Sequence, residues 1–368
     1  MYSMAYENLM LKALALAKKG VGKTSPNPAV GSIVARGGRV IAGGWHHKAG
    51  GPHAEIEALT VAGKNARGAA LFVTLEPCCH FGRTPPCTDA IIASGIKKVI
   101  VGAPDPNPRV SGKGVAALRA AGIEVVEGVL SSECSALNEA YNKYITKGLP
   151  FVTLKLAASL DGRIAAPGGE SKWITGVESR KLVHRMRASV DAVMVGSETA
   201  LKDDPELTVR LSAGRNPARV VLDSSLRLPV TSKVFNGVRE GRLSLIIFTS
   251  KEAPEGQAKK AREAGSEVVR LASAAGGLPL KKVLKALAER GMTSVLVEGG
   301  GKLAASLLKE KLVDALVVFY GPMVIGGDGL SMVAGLGLKG LKAAPGFKDI
   351  RVKKAGDDIV VEGRAIPR

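Results

Sequence analysis

The chain has 368 residues, of which 46% are hydrophobic, 23% charged and 4% aromatic, and its formal net charge is +19. This length suits two ordinary domains better than one, and the composition is that of a folded chain. The basic residues are scattered and aromatic residues are few, so little is available for stacking single-stranded bases. We therefore expect small phosphorylated ligands rather than nucleic acid as partners.

Neither a secretory nor a membrane-spanning segment is expected. The first eleven residues include Glu7 and lack a long apolar run, and no stretch approaches the roughly 18 uninterrupted apolar residues of a membrane helix. We expect a cytoplasmic protein with no membrane contact, and a homo-oligomer.

The first part of the chain alternates helix and strand patterns. Gly37 and Gly38 between two apolar stretches predict a hairpin turn. The sequence Lys147-Gly148-Leu149-Pro150 ends the last helix, so we predict one domain over 1–147 and a second over 150–368. In this first domain the predicted helices cover 7–19, 88–94, 114–121 and 132–146, with another from near His53, and the predicted strands cover 30–35, 39–43, 69–75, 97–101 and 124–129.

The second part alternates in the same way and ends in a predicted hairpin, 349–353 with 359–362. Such alternation favours two α/β domains, each with a largely parallel sheet covered by helices. Its other predicted strands cover 151–157, 192–195, 218–222, 243–248, 267–271, 294–297 and 315–319.

A zinc site is the strongest chemical signal. Three of the four cysteines fall within ten positions, which favours a metal site over a disulfide framework. His53, Cys78 and Cys87 supply the imidazole and thiolates of a three-ligand catalytic zinc, which leaves one position for an acidified water. Glu55 follows the histidine by two residues and is the candidate proton shuttle. Cys79 is an alternative to Cys78, but Cys78 directly follows Glu76-Pro77.

The zinc deaminases carry the pattern H-x-E…P-C-x-x-C. Here Phe81 stands where the second cysteine of that pattern would fall, and an eight-residue insertion, 79–86, precedes Cys87. In the second domain no G-x-G-x-x-G sequence follows a strand, but Glu298 is followed by three glycines, 299–301, at a predicted helix start. Backbone amides there could approach a phosphate closely.

The first half resembles the deaminase half of the bifunctional riboflavin-biosynthesis deaminase/reductase family. The resemblance lies in this insertion, in the segment 26–31 before it and in the segment 105–108 after it. The segments 155–165, 171–175, 199–205 and 222–225 resemble the family's reductase half. The resemblance implies a cytidine-deaminase-like α/β/α sandwich followed by a dihydrofolate-reductase-like α/β domain. It also implies that the 2-amino group of 2,5-diamino-6-ribosylamino-4(3H)-pyrimidinone 5′-phosphate is removed and that its ribosyl group is then reduced to ribityl with NADPH.

The resemblance also assigns binding residues. Lys155 and Glu298 are candidates for proton handling, and Arg210 suits a phosphate because a guanidinium binds it bidentately. Ser224, with Arg227 near it, is expected to favour NADPH over NADH. The substrate residues implied are Asn27, His46, His80, Arg83, Asp105 and Asn107 in the deaminase and Ser171, Leu207, Arg210 and Glu298 in the reductase. The NADPH residues implied are Ala157, Trp173, Thr199, Asp203, Ser224, Gly300, Gly301, Lys302, Leu303, Ala304, Ala305 and Ser306.

Two other functions compete with this one. The first is a transfer-RNA-type deaminase with a basic RNA-binding second half, against which the loop between Cys78 and Cys87 and the 161–163 segment both count. The second makes the C-terminal half a nucleotide-sensing domain without catalysis. Oxidation of NADPH in the presence of the deaminated intermediate would show that the domain is a reductase and not a sensor.

Overall fold

The computed structural model describes residues 4–82, 84–273 and 277–366. The chain divides into two compact units, Met1–Leu149 and Pro150–Arg368. Among the described residues, every helix is too short or too polar to cross a membrane.

The first unit contains a five-stranded sheet of β1 (Gly31–Arg36), β2 (Arg39–Trp45), β3 (Ala70–Leu75), β4 (Lys98–Ala103) and β5 (Glu124–Glu127), in the order β2-β1-β3-β4-β5. Strands β3, β4 and β5 are parallel, whereas β1 is antiparallel to both β2 and β3. The expected hairpin is confirmed, since Gly37 and Gly38 have φ values of 55° and 78° in the turn between β1 and β2. The expectation of a largely parallel sheet is wrong for this unit, because β1 runs antiparallel to both of its neighbours and half of the pairings are therefore antiparallel.

Helices cover both faces of this sheet. They are α1 (Met4–Ala17), α2 (Ala54–Ala62), α3 (Cys87–Ala93), α4 (Lys113–Ala120), α5 (Ser131–Leu137) and α6 (Glu139–Lys147). A Cβ at Gly31 would lie 2.1 Å from the Ala13 carbonyl oxygen of α1, and one at Gly44 would lie 2.5 Å from the Ala58 nitrogen of α2. Gly44 pairs with Ser32, the neighbour of Gly31, and neighbouring residues of a strand point to opposite faces. The two helices therefore pack on opposite faces, as in an α/β/α sandwich.

The helix expected over 132–146 is two helices, and this is a second correction. Between α5 and α6 lies Asn138, whose φ of −112° and ψ of 23° are not helical. Its side chain is buried and bonded to Ala29, 109 positions earlier. The apolar pattern runs through the break, so periodicity alone does not reveal it.

The second unit is built on a nine-stranded sheet in the order β11-β10-β9-β8-β12-β6-β13-β16-β15. The seven strands from β11 to β13 are parallel, and the terminal hairpin of β15 and β16 adds antiparallel to β13, as the sequence pattern predicted. The strands of this sheet are β6 (Phe151–Ser159), β8 (Ala192–Gly196), β9 (Ala218–Leu222), β10 (Leu245–Ser250), β11 (Glu267–Leu271), β12 (Ser294–Val297), β13 (Ala315–Gly321), β15 (Phe347–Ala355) and β16 (Asp358–Ala365). Two short strands, β7 (Arg163–Ala165) and β14 (Leu330–Ser331), pair with each other in a separate sheet.

The helices of this unit are α7 (Val177–Ser189), α8 (Ser197–Asp203), α9 (Glu255–Glu263), α10 (Leu280–Glu289) and α11 (Gly301–Lys309). Valine, leucine and isoleucine dominate the parallel strands, and β8, β9, β10 and β12 are buried along nearly their whole length. Strands buried on both faces carry such continuous apolar runs. The carboxyl ends of β8, β9 and β12 lead into the loops where ligands bind in open α/β sheets.

Candidate active sites

Three potential metal ligands meet in the first unit where α2 and α3 begin. His53 directly precedes α2, Cys87 opens α3, and Cys78 lies in the loop after β3. The His53 Nδ1 atom is 3.2 Å from Cys87 Sγ and 3.6 Å from Cys78 Sγ, and all three ligand atoms lie within 4.8 Å of one another. Zinc bonds of about 2.3 Å to sulfur and about 2.0 Å to nitrogen at tetrahedral angles need similar separations. The set therefore fits a zinc ion with one position open.

The protonation state of Cys78 also favours a metal. Hydrogen bonding with Cys87, and then with His53, lowers the pKa of the Cys78 thiol to about 4 against the effect of burial. The thiolate is the form that binds metal. Cys79 differs, since burial raises its pKa and its Sγ lies 3.9 Å from the Arg109 carbonyl oxygen, away from the cluster. The geometry thus groups Cys78, and not Cys79, with His53 and Cys87.

Glu55 is the second residue of α2 and only 4% of it is exposed. Burial raises the pKa of this carboxyl to about 7, although the neighbouring His53 opposes the shift. A carboxyl with such a pKa can accept and release a proton near neutral pH. Its place beside the ligand cluster is the one a proton shuttle needs.

Of the residues that the resemblance implied for the substrate, His46 lies next to His53, and Asn27 lies next to His46. The Asn27 Nδ2 atom donates to His46 Nε2 at 3.1 Å, and His46 Nδ1 donates to the Pro52 carbonyl oxygen at 2.8 Å. The rings of His46 and His53 meet edge to face, with centroids 5.2 Å apart. Burial lowers the pKa of His46, so the neutral ring that can accept from Asn27 is favoured.

Two further implied residues occupy the loop after β4. Asp105 is buried, and its Oδ1 atom accepts the Asn107 amide at 2.9 Å. Glu76, two residues before Cys78, accepts the amides of Asp105 at 3.4 Å and Gly112 at 3.0 Å. This buried glutamate joins the loop to the strand end that carries the metal ligand. Sequence reasoning gave Glu76 no role of its own, since its hydrogen bonds exist only once β3 and β4 are neighbours.

The last two implied substrate residues of the deaminase lie on the insertion. His80 is half-buried, and its Nδ1 atom has no hydrogen-bond partner within the described residues. Arg83 lies outside the described residues.

A large cavity of 1690 Å³ opens in the second unit at the ends of the parallel strands. It is large enough for a dinucleotide together with a small substrate. Fifteen residues predicted from the sequence line it: Lys155, Ala157, Ser171, Trp173, Thr199, Asp203, Leu207, Arg210, Ser224, Glu298, Gly300, Gly301, Lys302, Leu303 and Ser306. The side chains of Ala304 and Ala305 are buried in α11 instead, and their part in cofactor binding stays a prediction.

A buried charge cluster lies in this cavity. Arg187 of α7 donates to Glu298 from two of its three nitrogens, Nε to Oε1 at 2.6 Å and Nη2 to Oε2 at 2.9 Å. Lys155 of β6 places its Nζ 4.0 Å from Glu298 Oε2. Burial lowers the pKa of Lys155, whereas Arg187 outweighs burial and holds the pKa of Glu298 below its ordinary value. Glu298 is therefore an anion, and Lys155 is the group of this pair poised to give up a proton.

Sequence reasoning missed two cavity residues on α7. Besides Glu298, Arg187 reaches the Thr208 carbonyl oxygen at 3.0 Å, and His184 Nδ1 accepts the Arg210 amide at 2.8 Å. Both lie three residues apart on one helix face and are buried. A helix with this many basic residues is usually exposed, which argues against a site there. The spacing of three residues between His184 and Arg187, which puts them on one helix face, was the signal that the sequence offered.

The glycine turn after β12 leaves room for a ligand. Gly300 precedes α11, and a Cβ there would meet Thr199 Oγ1 at 3.5 Å, an ordinary contact. At Gly301 a Cβ would lie 2.5 Å from the Ser331 carbonyl oxygen, so packing against the chain itself forbids a side chain. The open space at Gly300 and the helix start fit the diphosphate of a dinucleotide.

Two of the predicted arginines have partners in the chain. Arg210 Nη1 is 2.6 Å from Glu206 Oε2. Arg227 Nη2 is 2.9 Å from both Ser197 Oγ and Glu198 Oε1, and its Nε is 3.9 Å from Asp223. The two arginines are half-exposed, at 49% and 50% of their side chains. A phosphate can compete for such exposed pairs, which are individually weak.

Comparison with known proteins accounts for both sites. Residues 4–103 match the cytidine and deoxycytidylate deaminase zinc-binding region, and residues 150–361 match the RibD C-terminal domain. The chain thus combines a zinc-binding deaminase domain with a reductase domain. The predicted class, a cytidine-deaminase-like domain followed by a dihydrofolate-reductase-like α/β domain, is confirmed.

Full-length relatives define the family. The chain is 47% identical to the riboflavin biosynthesis protein RibD of Aquifex aeolicus, over 96% of this chain and 97% of the relative, and 38% identical to that of Escherichia coli, over 97% and 98%. The structure of Acinetobacter baumannii RibD superposes with a TM-score of 0.88 at 36% identity, covering 99% of both chains. The deaminase/reductase of Thermotoga maritima superposes with a TM-score of 0.86 at 44% identity, covering 98% of this chain and 99% of that one. The chain belongs to the RibD family, the bifunctional deaminases and reductases of riboflavin biosynthesis, whose cofactors are zinc and NADPH.

Proposed function

We propose that the chain deaminates 2,5-diamino-6-ribosylamino-4(3H)-pyrimidinone 5′-phosphate and then reduces the ribosyl group, giving 5-amino-6-ribitylamino-uracil 5′-phosphate. The observation that carries this proposal is the convergence of His53, Cys78 and Cys87 beside the buried Glu55. The structure of the Thermotoga maritima protein bears the name of this deaminase and of the 5-amino-6-(5-phosphoribosylamino)uracil reductase. We also propose 1–147 and 150–368 as the limits of the two catalytic domains.

In the deaminase, His53 through Nδ1 and the thiolates of Cys78 and Cys87 would hold the zinc ion. Zinc, when bound, supplies an acidified water for attack on the carbon that bears the amino group. Glu55 would take the two protons of that water in turn and pass one to the ring nitrogen and one to the amino group, which leaves as ammonia, and a pKa of about 7 suits this role. Asn27, His46, His80, Arg83, Asp105 and Asn107 are proposed to bind the substrate.

In the reductase, the nicotinamide would lie in the cavity beside Lys155, with Gly300, Gly301 and the start of α11 at the diphosphate. NADPH, when bound, supplies the hydride for C1′ of the opened ribose. Lys155 would donate the proton that balances the hydride, since burial has already lowered its pKa. Glu298, fixed by Arg187, keeps Lys155 in place and faces the substrate.

The remaining assignments concern partners and location. We propose that Ser171, Leu207, Arg210 and Glu298 bind the substrate in the reductase. We propose Ala157, Trp173, Thr199, Asp203, Ser224 and 300–306 for NADPH. We also propose a cytoplasmic homo-oligomer that acts without nucleic acid. In support of an oligomer, the edge strand β15 exposes Ile350 by 54% and Val352 by 66%.

The test follows zinc, ammonia and NADPH separately in one series of proteins. We expect about one zinc per wild-type chain, ammonia release from the diaminopyrimidine phosphate, and NADPH loss only after deamination. Cys78→Ser and Cys87→Ser should lose zinc and ammonia release, because two ligands do not hold a catalytic zinc. Cys79→Ser is the matched control and should keep both. Full zinc and full rate in both ligand variants would show that the site is assigned wrongly.

A further inference from the structure

The break between α5 and α6 places a buried amide against the segment that carries Asn27. Only 3% of Asn138 is exposed. Its Oδ1 atom accepts the Ala29 amide at 2.8 Å, and its Nδ2 atom donates to the Ala29 carbonyl oxygen at 3.0 Å. A carboxamide offers one acceptor and one donor in a plane, which is what the two backbone groups of one residue require. The pair therefore fixes the backbone two residues after Asn27.

Three positions later, Tyr141 holds the other proposed substrate segment. Its buried hydroxyl donates to Asp105 Oδ1 at 3.0 Å and lies 3.3 Å from Oδ2. Burial, followed by the Asp105 charge, raises the pKa of Tyr141, so the hydroxyl remains a donor. Asn138 directly precedes α6, and Tyr141 is the third residue of that helix. The start of α6 and the residue before it thus contact both the Asn27 segment and the Asp105 segment.

These two contacts are separate from the metal ligands. At the metal side, the Asn27 segment is held by His46 and the Asp105 loop by Glu76. Asn138, directly before α6, holds the Asn27 segment, and Tyr141 of α6 holds the Asp105 loop. They also lie outside both matched regions, since the deaminase zinc-binding region ends at residue 103 and the reductase match begins at residue 150.

We propose that Asn138 and Tyr141 are positioning residues of the deaminase, which set the distance between the Asn27 segment and the Asp105 loop for the pyrimidine phosphate. The inference rests on the proposed function, because it takes Asn27, Asp105 and Asn107 as substrate contacts. It adds that two residues of the connection before the reductase domain support the substrate site.

Tyr141→Phe is the decisive variant, because it removes one hydroxyl and leaves the ring in place. We expect the KM for the diaminopyrimidine phosphate to rise about 10-fold, with kcat changed less than about 3-fold, since binding geometry is altered and the proton shuttle is not. Zinc content and the reductase rate on the deaminated intermediate should equal those of the wild type. Tyr144→Phe, the same change one turn later on α6, should leave every value unchanged.

Asn138→Asp is the second variant. It keeps the size and one acceptor but loses the donor, and its charge faces the Ala29 carbonyl oxygen. We expect a larger rise in KM than for Tyr141→Phe, again with zinc retained. If it does not fold, Tyr141→Phe still decides the question.

The outcomes separate the two claims. A KM within 2-fold of the wild type for Tyr141→Phe overturns the positioning role and leaves the proposed function intact. Loss of zinc, or an equal loss of reductase rate, overturns it too, because the tyrosine would then be structural only. If the wild type itself releases no ammonia from this substrate, the proposed function fails and the inference fails with it.

Discussion

Glu55 illustrates how a single residue acquires its chemistry from its surroundings. An exposed glutamate titrates near pH 4, whereas burial raises the pKa of Glu55 to about 7. It lies at the start of α2, whose Ala54 and Ala58 pack in the core. Desolvation therefore turns an ordinary carboxylate into a candidate acid and base.

Glu55→Gln should retain the shape of the site and the zinc but lose the proton shuttle. We expect the deaminase kcat to fall by about 100- to 10,000-fold, the usual contribution of a general acid or base. Ammonia release and zinc content measured on the same sample provide the check. A variant within a few-fold of the wild type would remove Glu55 from the mechanism.

His184 in the second unit is held neutral by burial and by the charges of Arg187 and Arg210, which together lower its pKa to about 4 against the opposite effect of Glu298. Between pH 6.5 and about 4 the unfolded chain binds a proton at this residue and the folded chain does not. The contribution of His184 to folding stability is therefore complete above pH 6.5 and is lost as pH falls through this window.

His184→Asn should flatten that dependence, because the amide oxygen can accept the Arg210 amide and does not titrate. We expect the unfolding midpoint in urea to fall more steeply for the wild type than for the variant as pH is lowered from 6.5 to 4.5. Carboxylates elsewhere are common to both proteins, so the difference isolates the histidine. Parallel curves would argue against a neutral His184.

At the scale of secondary structure elements, the turn between β12 and α11 serves both folding and binding. Gly301 approaches the Ser331 carbonyl oxygen so closely that a methyl group would collide, whereas Gly300 faces open space. The φ of −74° and ψ of 175° of Gly300 are accessible to any residue. Packing therefore requires a glycine at position 301, whereas at position 300 only the ligand of the cavity requires one.

The two glycines give a matched pair of variants. Gly301→Ala should lower the thermal stability of the second unit, since the chain must move away from residue 331. Gly300→Ala should leave stability nearly unchanged but raise the KM for NADPH by about 10-fold, because the methyl group occupies the proposed diphosphate position. Equal effects on stability from both substitutions would contradict this division of roles.

At the scale of the whole molecule, the two sites use no residue in common. The deaminase candidates lie between residues 27 and 141, and every residue lining the large cavity lies between 155 and 334. Each half has its own sheet and its own core. Inactivating one site should therefore leave the chemistry of the other unchanged.

Lys155→Met should release ammonia at the wild-type rate, accumulate the deaminated intermediate and consume almost no NADPH. Glu55→Gln should reduce that purified intermediate at the wild-type rate. Product analysis by mass spectrometry, with NADPH absorbance, distinguishes the two blocks. If either variant slowed both steps equally, the sites would not be independent.

The sequence by itself determined the class of protein and predicted the residues of the proposed zinc site. Alternating apolar patterns indicated two α/β domains. His53, Cys78 and Cys87 offer the ligand types that zinc prefers, and Glu55 lies two residues after the histidine, where a proton shuttle is expected. The closing hairpin and the Gly37-Gly38 turn were predictable for the same reason, because turn residues and strand patterns are local.

Only the tertiary structure decided which residues surround these groups. Arg187 contacts Glu298, 111 positions away, and Asn138 contacts Ala29, 109 positions away. The break at Asn138 does not interrupt the apolar pattern, and the antiparallel place of β1 depends on pairing with β3. Hydrogen bonds and charge pairs between distant segments form only after the sheets assemble. The pKa values of Glu55, Lys155 and Glu298, set by burial and by partners, are therefore properties of the fold.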